Sequence, residues 1–410
     1  MTSSKVKQNL IYLIKWLTIS VVFGACCGII GFLFFKSVES VTVLRANFNC
    51  IVFLLPFGAL LSVLINKALK TSDTNTNTVI NSVNGNNKLN PKVLPAIFTS
   101  AVIAHLLGGS VGREGAALQM GGGAAIYIGK VLKLKNEDLH VLTLVGMGAV
   151  FSALFGTPIG ACVFVLEVAF SKKIVFKSAI PTLISSFSAY FVSIWLGTHP
   201  ERFNVTQTAY DTSVVLKATL ISVAVGIIGT LFCYALKYCH IYFKKAIKNE
   251  YLLIFVGSII IVLLTAIVGN QDYNGSGNDL IIRTFENGKV NSYDFLLKII
   301  FTVISVSIGL RGGEIVPSFC IGATLGGYLA ILFCIDVTIG AALGMAAIFN
   351  TVTKCPVATM FICLEMFGIG CMPLCILSII ITVVLSSRNG LYEYKRNKMS
   401  LLELLKASRI

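Results

Sequence analysis

The chain has 410 residues, of which 56% are hydrophobic and only 12% charged, with a mean hydropathy of +0.85. A soluble domain carries about a quarter charged residues, so this composition cannot cover a water-facing globule and points to a bilayer as solvent. The formal net charge of +15 invites a nucleic-acid reading, but the basic residues sit at the ends of apolar stretches and form no single basic face, which argues against it.

The clearest apolar stretches are 10–35, 51–69, 179–197, 252–269, 296–310 and 318–337. A spanning helix needs about 20 residues, and the other apolar runs are shorter and broken by Gly or Pro. Such pieces are expected as helices that stop partway through the membrane, which is tolerated only around a protein-lined cavity. The first stretch is too long for a signal peptide and lacks a small-residue cleavage pattern, so it reads as a retained helix. Basic clusters sit at helix ends: Lys5, Lys7 and Lys15; Lys130, Lys133 and Lys135; Lys172, Lys173 and Lys177; Lys244, Lys245 and Lys248; Lys395, Arg396 and Lys398. Cytoplasmic loops carry this bias, and two basic ends place both termini in the cytoplasm. The twelve cysteines are scattered through apolar segments with no Cys-x-x-Cys pair. They read as small core residues, with neither disulfides nor a metal site expected.

No β pattern competes with an all-α polytopic membrane protein. The polar segments 71–90 and 270–278 read as loops or short interfacial pieces. A longer polar stretch, 198–213, separates a first membrane half, 1–197, from a second, 214–388. Residues 389–410 then read as a final helix and short basic tail without a soluble domain. The halves echo each other: Pro158 and Pro356, Glu167 and Glu365, and Arg113 and Arg311 are each 198 positions apart. Three landmarks at one offset point to an internal repeat, which the spacing alone leaves open as parallel or inverted. Transporters built this way hold their ion near the midplane between discontinuous helices.

Six acidic residues lie in apolar surroundings: Glu39, Glu114, Glu167, Glu314, Asp336 and Glu365. An ionisable group at membrane depth is costly, so each is a candidate for function. Glu114 stands in Gly108-Gly109-Ser110-Val111-Gly112-Arg113-Glu114-Gly115, just ahead of an apolar helix. Glycines permit an irregular backbone there, and the free N–H groups of the helix start attract anions. A carboxylate at such a place can occupy the anion site when ionised and leave it when protonated, acting as gate and proton carrier together. The plainer reading is a glutamate that caps its own helix. A phosphate-binding loop is a poorer fit, because no Gly-Lys-Ser/Thr follows and no strand precedes. Gly312-Gly313-Glu314-Ile315-Val316-Pro317 opens a second helix in the same way, with Pro317 suited to a first turn. Glu314 is the second candidate for charge movement, against a plain capping role. Glu167 and Glu365 read as structural, buried with polar partners. On spacing alone Tyr392 reads as an interfacial anchor.

At these residues the chain resembles the chloride-channel (CLC) family of anion channels and proton-coupled exchangers. Gly112-Arg113-Glu114-Gly115 with Gln119 and Gly121 is similar to its Gly-Arg/Lys-Glu-Gly-Pro element. Gly312 to Pro317, with Gly322-Ala323 behind, is similar to its Gly-x-Phe-x-Pro element. The resemblance covers nearly the whole chain and implies inverted repeats, a homodimer with one pore per subunit, Glu114 as external gate and Tyr392 as inner anion ligand. The departures bear on the substrate. Asp73 to Thr78 stands where the family has Gly-Ser-Gly-Ile-Pro, Glu314-Ile315 replaces an apolar-Phe pair, Ala116 replaces a proline, and Val168 stands where chloride exchangers carry an inner proton glutamate.

These departures resemble the fluoride-exporting branch. Small fluoride holds water tightly, so its site needs dense, strong donors. The expected anion-binding set is Gly112, Arg113, Gly115, Ile315, Val316 and Tyr392, with Asn75, Thr76 and Asn77 supplying side-chain donors. The first functional reading is a fluoride/proton antiporter of the cell membrane, with no cofactor and no nucleic-acid partner. The alternative is a chloride/proton exchanger or passive chloride channel of the same fold. A membrane redox enzyme using the cysteines is disfavoured by the absence of paired Cys or His ligands.

Overall fold

The computed structural model describes residues 3–83, 89–169, 172–206, 211–385 and 390–392, with side chains from Ile14 onward except 172–176. The basic residues Lys395, Arg396 and Lys398, and the side chains of Lys5, Lys7, Lys172 and Lys173, lie outside the described residues. So does the segment 389–410, apart from Gly390 to Tyr392.

Among the described residues the chain forms sixteen α-helices and no strand. The first eight are α1 (Ser3–Asn47), α2 (Leu55–Ala68), α3 (Thr76–Val83), α4 (Val93–Leu106), α5 (Glu114–Val131), α6 (Asn136–Phe155), α7 (Pro158–Ala169) and α8 (Lys172–Trp195). The second eight are α9 (Thr212–Ala246), α10 (Glu250–Val268), α11 (Asn278–Asn287), α12 (Asp294–Ser307), α13 (Ile315–Leu332), α14 (Val337–Thr353), α15 (Pro356–Phe367) and α16 (Met372–Leu385). Seven helices among the described residues are long and apolar enough to cross a membrane. The chain is a multi-pass membrane protein. The stretch 296–310, expected as a span, is instead the 14-residue α12, about 21 Å long at 1.5 Å per residue and too short to cross alone.

Local chemistry sets several boundaries. The Asp211 carboxylate accepts from Val214 N at 2.7 Å to start α9, and Asn249 accepts from the amides of Tyr251 and Leu252 to start α10. Gly156 and Gly269 end α6 and α10 in the left-handed conformation, φ 71° and 76°.

The repeat is real, but its register differs from the sequence expectation. Helices α4, α5 and α6 begin at 93, 114 and 136, and α12, α13 and α14 begin at 294, 315 and 337, each 201 positions later. Helix α7 begins at 158 and α15 at 356, only 198 later, because α6 has 20 residues and α14 has 17. The Pro158/Pro356 and Glu167/Glu365 pairs are therefore equivalent. Arg113 and Arg311 are not: Arg113 corresponds to Glu314, and Arg311 to Ser110.

The two halves exchange contacts reciprocally. Glu167 on α7 accepts from Val357 N (3.4 Å) and Ala358 N (2.8 Å) at the start of α15. Glu365 on α15 accepts from Ile159 N (3.0 Å) and Gly160 N (2.7 Å) at the start of α7. A two-fold relation between the halves gives each helix this reciprocal cap. Changing Glu365 to alanine leaves two helix-start amides without that acceptor, and should cost about 1–2 kcal/mol, read as a lowered melting temperature in detergent.

The polar stretch between the halves is tied to both of them among its described residues. Glu201 N donates to Phe155 O at 3.2 Å, Phe203 N donates to Met366 O at 2.9 Å, and the Phe203 ring stacks on Phe285 at 4.5 Å. The cysteines are not uniformly core residues: Cys26, Cys50 and Cys334 are exposed on the apolar surface.

Candidate functional site

The site forms where the two glycine-rich breaks meet. Gly112 and Gly313 pair as an antiparallel bridge, with N···O distances of 2.5 and 2.8 Å. Helices α5 and α13 start just beyond this bridge, so two helix N-termini with their unsatisfied N–H groups converge on one point. Glycine is required by the closeness. A Cβ on Gly112 would stand 2.3 Å from Glu114 Oε2, and one on Gly313 would stand 2.5 Å from Gly115 N.

The break before α5 is held from behind by buried polar groups. Ser110 N donates to Ser305 Oγ at 3.0 Å, and Ser110 Oγ bonds Thr302 Oγ1 at 3.0 Å. Lys298, fully buried, donates to Ser110 Oγ (2.9 Å), Gly275 O (2.8 Å) and Tyr273 O (3.1 Å). Sequence inspection missed Lys298, although a lysine inside an apolar stretch is itself a signal.

Glu114 is fully buried. Its Oε2 accepts from Val316 N, in the first turn of α13, at 3.1 Å, whereas Oε1 has no hydrogen-bond partner among the described residues. The carboxylate therefore caps the opposite helix while also lying against the Arg113 and Glu114 amides at its own helix start. It sits where an anion bound to that helix start would sit. A buried acceptor left half satisfied is costly, so the arrangement favours exchange with a competing anion or uptake of a proton.

The remaining expected residues divide. Ile315 is fully buried as the first residue of α13, and Val316 supplies the amide already described. Gly115 packs tightly on Thr76, where an added Cβ would lie 3.0 Å from Thr76 Oγ1. That hydroxyl accepts from Gln119 Nε2 at 3.3 Å, so Thr76 does reach the start of α5. Asn77 is half-buried beside it on α3. Asn75 does not join them: it is exposed, and its Oδ1 accepts from Thr78 N at 2.8 Å within the α3 start. Arg113 is also turned away, ion-paired with Glu201 and lying 5.4 Å from the centre of the Phe35 ring. Its side chain anchors the inter-repeat segment. Arg311 likewise holds backbone, donating to Thr74 O (2.5 Å) and Ser72 O (2.7 Å) and fixing the approach to α3.

Glu314 precedes α13 but makes no side-chain capping bond, which argues against the plain capping role. Tyr392 is buried, not an interfacial anchor, with its ring 6.2 Å from Phe164 and its hydroxyl unpartnered among the described residues. That hydroxyl lies within electrostatic reach of the Glu314 and Glu114 carboxyls. Two helix starts and the Glu114 carboxyl thus meet at one point between the repeats.

Comparison with known proteins agrees with this geometry. Residues 57–387 match the family model described as voltage gated chloride channel. A protein of Pseudomonas syringae named chloride/fluoride channel protein is 30% identical over 94% of this chain and 87% of its own length. An H(+)/Cl(-) exchange transporter of Vibrio cholerae is 27% identical over 67% of this chain and 62% of its own. The crystal structure of a CLC-type fluoride/proton antiporter superposes with a TM-score of 0.88 at 30% identity, covering 93% of this chain and 97% of that one. A slow cyanobacterial Cl-/H+ antiporter, at 18% identity and a TM-score of 0.77 over 90% and 93% of the two chains, shares the fold. The chain belongs to the voltage-gated chloride channel (CLC) family.

Proposed function

We propose that this protein is a fluoride/proton antiporter that expels fluoride from the cell, driven by the inward proton gradient. The observation that carries the reading is Glu114, buried in the mouth of α13 with Oε2 on the Val316 amide. A fluoride ion displaces the ionised carboxylate from that amide, and the freed carboxyl takes up a proton. Return of the carboxylate releases the proton and evicts the anion, so the two fluxes are opposed. Glu314 serves the same exchange from the other side of the helix start, either donating to the anion when protonated or relaying the proton. Tyr392 supplies a further donor below it, and the Thr76–Gln119 pair flanks the α5 start.

The similarity to a fluoride/proton antiporter along nearly the full length supports fluoride over chloride. So do Glu314 in the second break and Val168 after Glu167. Residues 1–197 and 214–388 act as the two repeats, 198–213 joins them, and 389–410 closes the chain. The protein sits in the cell membrane as a homodimer with both termini in the cytoplasm, a placement supported by the basic clusters and by the family.

Reconstituted in liposomes, the purified protein should release fluoride far faster than chloride and move protons in the opposite direction. Equal rates for the two halides would instead favour the chloride exchanger. Halide flux without proton movement would favour a passive channel.

A further inference from the structure

Lys298, fully buried in the second turn of α12, is a charge that the exchange at Glu114 leaves without a task. An ammonium has three N–H donors. Lys298 places them on three neutral oxygens: Ser110 Oγ in the α5 break, and the Tyr273 and Gly275 carbonyls of the segment 269–277 that joins α10 to α11. Among the described residues it forms no ion pair. A buried ammonium without a carboxylate is costly, and a methionine would fill the same space at less cost. The three bonds therefore have to matter for something other than packing.

The α10–α11 segment is shaped around this ammonium. It turns at Gly275 and Gly277, with φ 64° and 86°, and a Cβ on Gly277 would stand 2.8 Å from both Lys298 Cε and Cys320 Sγ. The neighbouring Asn274 donates from Nδ2 to Gly108 O at 2.8 Å. One segment thus grips the α5 break twice, at Gly108 directly and at Ser110 through the lysine. Its own position is set away from the gate. The Tyr273 hydroxyl donates to Asp294 Oδ1 at 2.6 Å, Asp294 Oδ2 accepts from Arg283 at 2.8 Å, and Arg283 pairs with the partly exposed Asp272 at 3.1 Å. A chain of polar contacts runs from that pair to Ser110, in the break that ends at Glu114.

We infer that Lys298 is a positioning residue for the exchange at Glu114: its ammonium clamps the α5 break to the α10–α11 segment and keeps the α5 start in register with the Val316 amide. The inference rests on the anion/proton exchange reading and adds to it a residue that touches neither ion. Exchange is coupled only while anion and carboxylate compete for one amide. If the α5 start drifts from α13, a halide passes while Glu114 sits elsewhere, and halide movement slips free of the proton. Charge-assisted bonds from one ammonium to two segments resist that drift.

The test uses the full-length protein in liposomes, with a fluoride electrode outside and a pH-sensitive dye inside, and reads protons moved per fluoride. That ratio does not depend on the fraction of active molecules, so a partly unfolded sample cannot imitate a change in it. Lys298→Met should lower proton-coupled flux roughly tenfold and lower the ratio as well. Tyr273→Phe removes only the hydroxyl that fixes the segment, and should lower the ratio in the same direction by less. Ser110→Ala added to Lys298→Met should change little further, because both act on one contact. A wild-type ratio in Lys298→Met, whatever its melting temperature, makes the lysine purely structural and overturns the inference. Additive losses in the double variant overturn it too, since the lysine then acts elsewhere than on Ser110. Should Lys298→Met fail to give a monodisperse protein, Tyr273→Phe decides, and an unchanged ratio there sinks the inference. Wild-type protein that moves halide without protons would refute the exchange reading itself, a result distinct from all of these.

Discussion

Glutamine in place of Glu114 is expected to reduce proton movement to that of empty liposomes while the protein remains folded. The substitution keeps shape and leaves an amide oxygen to accept from Val316 N, so the α13 start stays capped. What is lost is the ability to bind and release a proton, and with it the negative charge that competes with the anion. Halide flux should persist without coupling, at a rate set by how readily the neutral amide yields its place. The check is a pH-sensitive dye inside liposomes, read alongside an ion-selective electrode for the halide. Surviving proton flux would assign the carrier to another group, with Glu314 the first to examine.

Leucine in place of Gly344 is expected to abolish the folded state. Gly322 and Gly326 on α13 face Gly344 and Gly340 on α14, so that backbone meets backbone. A Cβ on Gly344 would stand 1.9 Å from Gly322 O, and one on Gly326 would stand 2.0 Å from Gly340 O. Helices in membranes associate through such small residues four apart, and here the contact fixes the helix whose N-terminus forms the anion site. Neither oxygen is the end of a flexible side chain, so the clash is relieved only by separating the helices. The cost should exceed about 3 kcal/mol, seen as loss of the monodisperse peak on size exclusion. Alanine at the same position should lower the melting temperature and reduce flux before the fold is lost. The first half uses an equivalent contact, Gly121 against Gly146, where a Cβ on Gly121 would lie 2.2 Å from Gly146 O. A substitution there should behave alike.

Much of this protein was legible from residues alone because its signals are local. Low charge and long apolar runs require a bilayer, and Gly-rich breaks beside apolar runs mark discontinuous helices wherever they pack. A glutamate in such a break is conspicuous without any partner in view, which is why Glu114 and Glu314 stood out. The echo of Pro158–Glu167 in Pro356–Glu365 also survived, since no insertion separates those landmarks.

What the linear chain could not decide was every question about partners far apart in sequence. Glu114 caps α13, 202 residues away, and nothing near it distinguishes that from capping its own helix. Arg113 looked like an anion ligand because it adjoins the gate, yet a buried guanidinium must be neutralised, and Glu201 of the inter-repeat segment does so. Asn75 offers a donor of the right kind, but its side-chain oxygen accepts from the amide of Thr78 at its own helix start, the usual preference of an Asn there. The repeat register slipped by three residues because α6 is longer than α14, a difference visible only once the helix ends are seen. Composition and local pattern thus determine the solvent, the helices and their breaks. The tertiary structure alone decides which buried charge meets which amide, because unpaired polar groups in a membrane find partners by proximity in space.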